Sequence, residues 1–261
     1  MGGQTIRGKI IRRARDEHGE IFVVDNHGTR SLYFGPAVVQ SSIRLEQPEC
    51  LIDEYCQAML GSLIFKPDPD SVLMIGLGGC SLVNFLLTSF PECRLDVVEL
   101  RQAVIDLAHE FFLVPDMSRN LTIVHAAGEE FIRREQAACY DLIILDAFDE
   151  RGPAGPLYEK TLLDACSRRL TRDGICSMNL WDGPDDGFPE RYAAISDVFG
   201  ATLRLHPAGR CRNAVVFGSA DPGRFGNLTG YRRTAKELLR RYGVNFPRYL
   251  SYMSWGNCGQ Q

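Results

Sequence analysis

From residue 71 onward, short unbroken apolar runs alternate with segments of helical periodicity, and that alternation leaves few folds open. Residues 72–75, 95–98, 121–125, 142–145 and 175–180 read as strands. Apolar runs this short, with no polar alternation, are buried on both faces. Helical segments follow the first strand as far as Phe90 and cover 103–112 and 157–170. Strands alternating with helices predict a parallel sheet covered on both sides. Two further strands, 201–205 and 214–218, are too close in sequence for a crossover helix, so they predict an antiparallel hairpin at the sheet edge.

The first third of the chain follows another rule. Residues 6–14, 20–25 and 29–34 are strand-like, and the breaks between them, ending in Gly19 and Gly28, carry turn residues. They predict a small antiparallel sheet. Residues 48–65 place Leu51, Ile52, Tyr55, Met59, Leu60 and Leu63 at helical spacing, and Pro67 and Pro69 interrupt the pattern. The expected division is an N-terminal β-hairpin domain plus linking helix at 1–66, then a Rossmann-like domain at 67–261. The fold class is α/β. Its large sheet, mostly parallel with an antiparallel last strand, is similar to methyltransferase-type Rossmann sheets.

Composition excludes several functions. The 261 residues are 45% hydrophobic with a net charge of −4, so there is no basic field for nucleic acid. No apolar run reaches membrane-span length. The start lacks a signal-peptide core, and Ile6 stands where myristoylation needs Ser or Thr. Nine cysteines, odd in number and without a Cys-x-x-Cys pair, read as reduced core residues of a cytoplasmic protein. The five histidines pair with no cysteine at ligand spacing, so no metal is expected. Paired arginines such as Arg168-Arg169 read as solvated faces. The aromatic residues after 242 are expected to pack on the body or on a neighbouring subunit.

Gly76-Leu77-Gly78-Gly79 follows the first parallel strand and opens a helix. Glycines there admit positive φ and a close ligand, and the helix N-terminus offers free N–H groups. The dinucleotide fingerprint needs a third glycine at 81, where this chain has Ser81, so a nicotinamide dinucleotide is disfavoured. Glu99 closes the second strand, where an acid accepts hydrogen bonds from ribose hydroxyls. The same pairing serves adenosyl ligands. A tight turn and a surface glutamate would leave the same pattern, but loop and acid stand in register.

The fourth strand ends abruptly in two acids, Asp146 and Asp149, followed by Gly152-Pro153. Carboxylates at that end of an open α/β sheet stand where such sheets hold ligands. They can hold a cation and take a proton from it, which points to amine chemistry. Spacing alone does not separate this from Asp146 capping the next turn with Asp149 in solvent.

With these features in place, the chain resembles the spermidine synthase (polyamine aminopropyltransferase) family, in its divergent spermidine-synthase-like branch. The match rests on the stretch from Tyr140 through Asp146 and Asp149 to Gly152, Pro153, Ala154 and Leu157, together with the glycine loop and the small β-domain. The resemblance implies aminopropyl transfer from decarboxylated S-adenosylmethionine, a co-substrate rather than a prosthetic group, to an amine such as putrescine, in a homodimer or homotetramer. It makes Asp146 the base, Asp149 the acid that steadies the amine, and Glu99 the ribose acceptor, beside Gly76, Gly78 and Gly79. Gln40 stands for the family's active-site glutamine. The family's substrate-side tyrosine falls at Cys56, with Tyr55 one residue away and carried instead. Trp181 is a further candidate wall of the amine pocket.

Two departures concern the donor. The family's loop aspartate, which binds the aminopropyl nitrogen, is replaced in the region of Gly79 and Cys80. The acid that accepts from the adenine amino group is replaced by Ala127, beside Gly128, with Glu129 or Glu130 as possible substitutes. These departures keep open a small-molecule methyltransferase using intact S-adenosylmethionine, and a non-catalytic binding protein.

The chemistry explains why such a site needs acids. An alkylamine has a pKa of about 10.4 and carries no free lone pair at neutral pH. A carboxylate binds the ammonium and then removes its proton. The remaining demand is alignment of nitrogen, carbon and sulfur, which favours a rigid strand end.

Overall fold

The computed structural model describes residues 6–36, 38–115, 119–134, 139–149, 152–153, 158–183, 186–207 and 212–255. Four strands open the chain: β1 (Lys9–Asp16), β2 (Gly19–Asn26), β3 (Thr29–Phe34) and β4 (Val38–Arg44). They pair in sequence order, each antiparallel to the next. The fourth strand was not legible, because two serines, Ser41 and Ser42, occupy consecutive buried positions in it.

The helix expected over 48–65 is shorter than its periodicity suggests. Only α1 (Glu54–Met59) is α-helical, and a 3₁₀ turn continues it over Leu60–Ile64. Asp53 stands at the N-cap but makes no capping bond. Its carboxylate accepts the Ser42 N–H at 2.7 Å instead, tying the helix start to β4.

The larger unit runs β5 (Ser71–Ile75), α2 (Ser81–Ser89), β6 (Arg94–Glu99), α3 (Gln102–Phe111), β7 (Leu121–His125), α4 (Gly128–Ile132) and β8 (Tyr140–Leu145). Two-residue strands β9 (Phe148–Asp149) and β10 (Gly152–Pro153) follow, then α5 (Lys160–Arg169) and β11 (Leu170–Trp181). The described chain ends with α6 (Phe188–Val198), β12 (Ala201–Leu205), β13 (Asn213–Ser219), α7 (Arg232–Tyr242) and α8 (Phe246–Tyr252).

The seven-stranded sheet has the order β12-β13-β11-β8-β5-β6-β7. The expected hairpin forms, with β12 outermost and β13 antiparallel to both of its neighbours. The chain leaves β5 for β6 and β7, then returns to β8 on the other side. This reversal opens a crevice between the carboxyl ends of β5 and β8, where open α/β sheets bind ligands.

Packing follows the two faces of the sheet. Along β8, Leu142 and Ile144 enter one core, and Ile143 and Leu145 enter the other, as the two-residue period of a strand requires. The first core also holds Ile21, Leu32 and Ile43 of the small sheet and Phe246 and Tyr249 of α8. The second is covered by Leu162 and Cys166 of α5 and Ile195 of α6. Each such side chain stabilises the fold by about 2 kcal/mol. Asp141, buried in β8, accepts the Asp70 N–H at 2.8 Å and the Thr171 hydroxyl at 2.9 Å, with Lys66 Nζ at 3.2 Å. This polar knot anchors the linker to the sheet.

One basic pair departs from its expected place on a solvated face. Arg169 is buried, donates to the Ile132 carbonyl at 2.9 Å and lies 5.5 Å from the centre of the Tyr140 ring. Of the aromatic residues after 242, Phe246 and Tyr249 are buried against the body, whereas Tyr252 and Trp255 remain about half exposed. Among the described residues, no helix is long and apolar enough to cross a membrane, and no group of three potential ligands could hold a metal.

Candidate active site

The site begins where β5 stops. Gly76 takes φ +100°, and a Cβ there would run into the Asp146 carbonyl, so only glycine lets the turn pass the end of β8. On the other strand, the Asp146 N–H bonds the Ile75 carbonyl at 2.9 Å. The turn is thus held against the carboxylate strand. The Leu77 N–H donates to one Glu99 oxygen at 2.9 Å, and the Arg101 N–H to the other at 2.8 Å. Burial pushes the Glu99 carboxyl above its usual range, against the pull of these two donors. These backbone donors fix the orientation of the carboxylate.

The small sheet clamps this turn. The Gly79 N–H donates to Ser41 Oγ at 2.6 Å, and Ser81 Oγ donates to the Ser42 carbonyl at 2.8 Å. Ser81, standing where a dinucleotide loop has its third glycine, therefore bonds β4 rather than a pyrophosphate. A second clamp runs through Arg101, which pairs with both Asp16 oxygens at 2.7 and 2.9 Å and stacks 4.3 Å from the centre of the Phe34 ring. Burial would raise the Asp16 carboxyl, but bonds from Arg101 and the His18 N–H hold it below its ordinary value.

Asp146 stands across the crevice from Glu99. Burial raises its pKa to about 6; a bond from Asn179 Nδ2 at 2.8 Å opposes the rise, and the nearby charge of Asp53 adds to it. Asp53 is itself raised to about 6 by burial, against the pull of the Ser42 N–H. Two buried tyrosines lie close to the Asp146 carboxylate. Tyr55 donates to the Gln40 carbonyl at 2.6 Å, and burial followed by the charge of Asp146 keeps its phenol protonated. Tyr158 donates to the Asn179 backbone carbonyl at 2.6 Å.

A cavity of about 250 Å³ is lined by both Glu99 and Asp146. Of the residues picked out in the sequence, Gly76, Gly78, Glu99, Ala127, Gly128, Asp146 and Gln40 line it together. Gly79 supports the turn through Ser41 instead. The phenol next to Asp146 is that of Tyr55, whereas Cys56 is buried in the core. Trp181 stands behind the wall, its ring 5.6 Å from that of Phe148, with the Arg212 guanidinium 5.0 Å from its centre. Asp149 pairs with Gly152 in the β9–β10 ladder, while its side chain, like Ala154 and Leu157, lies outside the described residues.

Sequence reasoning missed Phe34, His18 and Arg101, which also line the cavity. It missed Asp53 as well. An acid just before a helix reads as a cap, and nothing in the local pattern reports that it lies beside another carboxylate.

A glycine turn next to a strand-end acid, facing a raised carboxylate across a topological switch point, defines a Rossmann-like transferase of the methyltransferase type. The spermine/spermidine synthase domain matches residues 55–180. The polyamine aminopropyltransferase of Chromobacterium violaceum is 28% identical over 247 residues, covering 95% of this chain and 94% of that protein. That of Neisseria meningitidis serogroup A is 29% identical over 248 residues, with the same coverage. A probable spermidine synthase from Corynebacterium glutamicum shares the fold at a TM-score of 0.72 and 20% identity, covering 98% of both chains. The chain is thus similar to the spermidine synthase (polyamine aminopropyltransferase) family, in the matched domain and along most of its length.

Proposed function

We propose that this enzyme transfers the aminopropyl group of decarboxylated S-adenosylmethionine to an amine such as putrescine, releasing methylthioadenosine. The observation that carries this reading is Asp146, a carboxylate raised to about 6, set on the cavity wall opposite Glu99. A base of that pKa is ionised at neutral pH and still basic enough to accept a proton as the amine attacks. In this reading, Glu99 holds the ribose, the turn of Gly76, Gly78 and Gly79 carries the donor's backbone-facing side, and Ala127 and Gly128 flank the adenine. Asp146 binds the acceptor ammonium and removes its proton. The nitrogen lone pair then displaces sulfur from the adjacent carbon, the C–S bond breaks, and the sulfonium leaves as a neutral thioether.

Gln40, Tyr55, Asp149 and Trp181 form the acceptor side in this reading, with Trp181 acting through Phe148. The small sheet with its linking helix, residues 1–66, serves as the wall that closes the crevice, and 67–261 as the ligand-binding domain. A cytoplasmic homodimer or homotetramer is the working form. The test is incubation of purified enzyme with putrescine and either decarboxylated or intact S-adenosylmethionine, with products read by mass spectrometry. Methylthioadenosine and spermidine from the decarboxylated donor are expected. Methylated amine from the intact donor, with no methylthioadenosine from the other, would overturn the proposal.

A further inference from the structure

We infer that Asn213, on β13, is a positioning residue for Asp146: it fixes the Asn179 amide so that an N–H, and not a carbonyl oxygen, faces the carboxylate. This rests on the reading of Asp146 as the base. Asn213 Nδ2 donates to Asn179 Oδ1 at 2.9 Å, and Asn179 Nδ2 donates to Asp146 Oδ1 at 2.8 Å. The two bonds run in one direction and end on the carboxylate.

An isolated asparagine amide has no such direction, because its oxygen and nitrogen ends have nearly the same shape. Reversing Asn179 alone would place its carbonyl oxygen against an Asp146 oxygen and set two NH₂ groups face to face. Asn179 is only 1% exposed, so solvent offers little compensation for that arrangement. The scaffold also holds both asparagines in place. Tyr158 takes the Asn179 backbone carbonyl, and the β11–β13 register places Asn213 opposite Trp181.

The consequence is chemical. Hydrogen bonding to the charged form of a carboxylate lowers its pKa, so the relay opposes the rise caused by burial. It also commits Oδ1, directing an incoming ammonium to the other oxygen. The charged and titratable groups around Asp146 are Asp53 and Tyr55 at α1, Tyr158 ahead of α5, and Glu99, Arg101, His18 and Glu129 around the cavity. Replacing Asn213 leaves all of them in place. Its neighbour Arg212 is engaged by Asp186 at 2.6 Å.

The experiment is a carbon-13 NMR titration of the Asp146 carboxyl in aspartate-labelled protein, its signal assigned by its loss in Asp146→Asn, alongside the pH profile of kcat. In Asn213→Ala, the carboxyl midpoint is expected to rise by about half a pH unit as the Asn179 amide loses its fixed direction. In Asn213→Asp, nearly the same shape, it is expected to rise further, by about one pH unit, because a carboxylate at 213 only accepts and draws the Asn179 NH₂ away. The near-isosteric variant also keeps the measurement available should the alanine variant unfold. An unchanged midpoint in either folded variant overturns the inference. If the midpoint moves while Asp146→Asn retains full turnover, the relay stands and the catalytic reading falls.

Discussion

Gly76 and Asp146 lie back to back, with the hydrogen of Gly76 occupying the one space left beside the Asp146 backbone carbonyl. The glycine turn and the end of β8 are therefore one mechanical unit. Gly76→Ala would combine a positive-φ penalty with an overlap against backbone that has no rotamer to escape into. A loss of about 3 kcal/mol is expected. Chemical denaturation of the variant checks this, and an unchanged midpoint would show that the turn can move away from β8.

On the proposed reading, Asp146→Asn keeps the shape of the side chain and removes the base. Turnover is expected to fall about a thousandfold, while methylthioadenosine, which needs only the donor side, binds as before. Isothermal calorimetry and single-turnover assays separate the two effects.

The pH dependence has a defined sign. In the proposed mechanism Asp146 must be ionised to bind and deprotonate the amine, and burial raises its pKa to about 6. Activity should hold level from pH 8 to 7 and drop about tenfold per pH unit below about 6. A profile measured at saturating donor whose acid limb begins near pH 4 would mean that the base ionises as an ordinary aspartate.

Asp53 offers a test of stability rather than catalysis. Its folded pKa of about 6 exceeds the unfolded value of about 3.9. Between those values the native state holds a proton that the unfolded chain does not, so stability decreases as pH rises from about 4 to about 6. Above that range the buried charge costs up to about 3 kcal/mol. Asp53→Asn keeps an acceptor for the Ser42 N–H and removes the charge. It should stabilise the protein by about 1–2 kcal/mol at pH 8 and leave it unchanged at pH 4. Urea denaturation at the two pH values measures the difference.

The α/β order of strands, the edge hairpin and the meeting of Gly76, Glu99 and Asp146 were legible because each follows from local periodicity and topology. The three strand ends converge once the sheet order is known. What stayed hidden depends on contacts far apart in sequence. Arg101 reaches Asp16 across 85 positions, and Asn213 reaches Asn179 across 34. Strand β4 escaped because the Ser41 hydroxyl serves the glycine turn and the Ser42 hydroxyl pairs with Ser31 of β3, partners that no local pattern shows. Asp53 looked like a helix cap, yet tertiary packing gives its carboxylate to β4 instead.

Ser41 also limits what can stand at Gly79, where the resemblance implies an acid. At Gly79 a Cβ would meet Ser41 Oγ at 2.8 Å, the Ser41 carbonyl at 3.0 Å and Phe112 at 3.2 Å. An aspartate there is blocked by β4, not merely absent. Gly79→Asp alone should therefore destabilise the fold by about 2 kcal/mol. Ser41→Gly removes the nearest obstruction, so the double variant Ser41→Gly/Gly79→Asp should recover much of that loss. With a carboxylate restored beside the turn, it should also bind decarboxylated S-adenosylmethionine about tenfold more tightly than the parent, since a charge-assisted bond to the donor ammonium contributes about 1.5 kcal/mol. Calorimetry with that donor and with methylthioadenosine, which lacks the ammonium, decides the point. Equal gains for both ligands would place the new carboxylate somewhere other than the donor's tail.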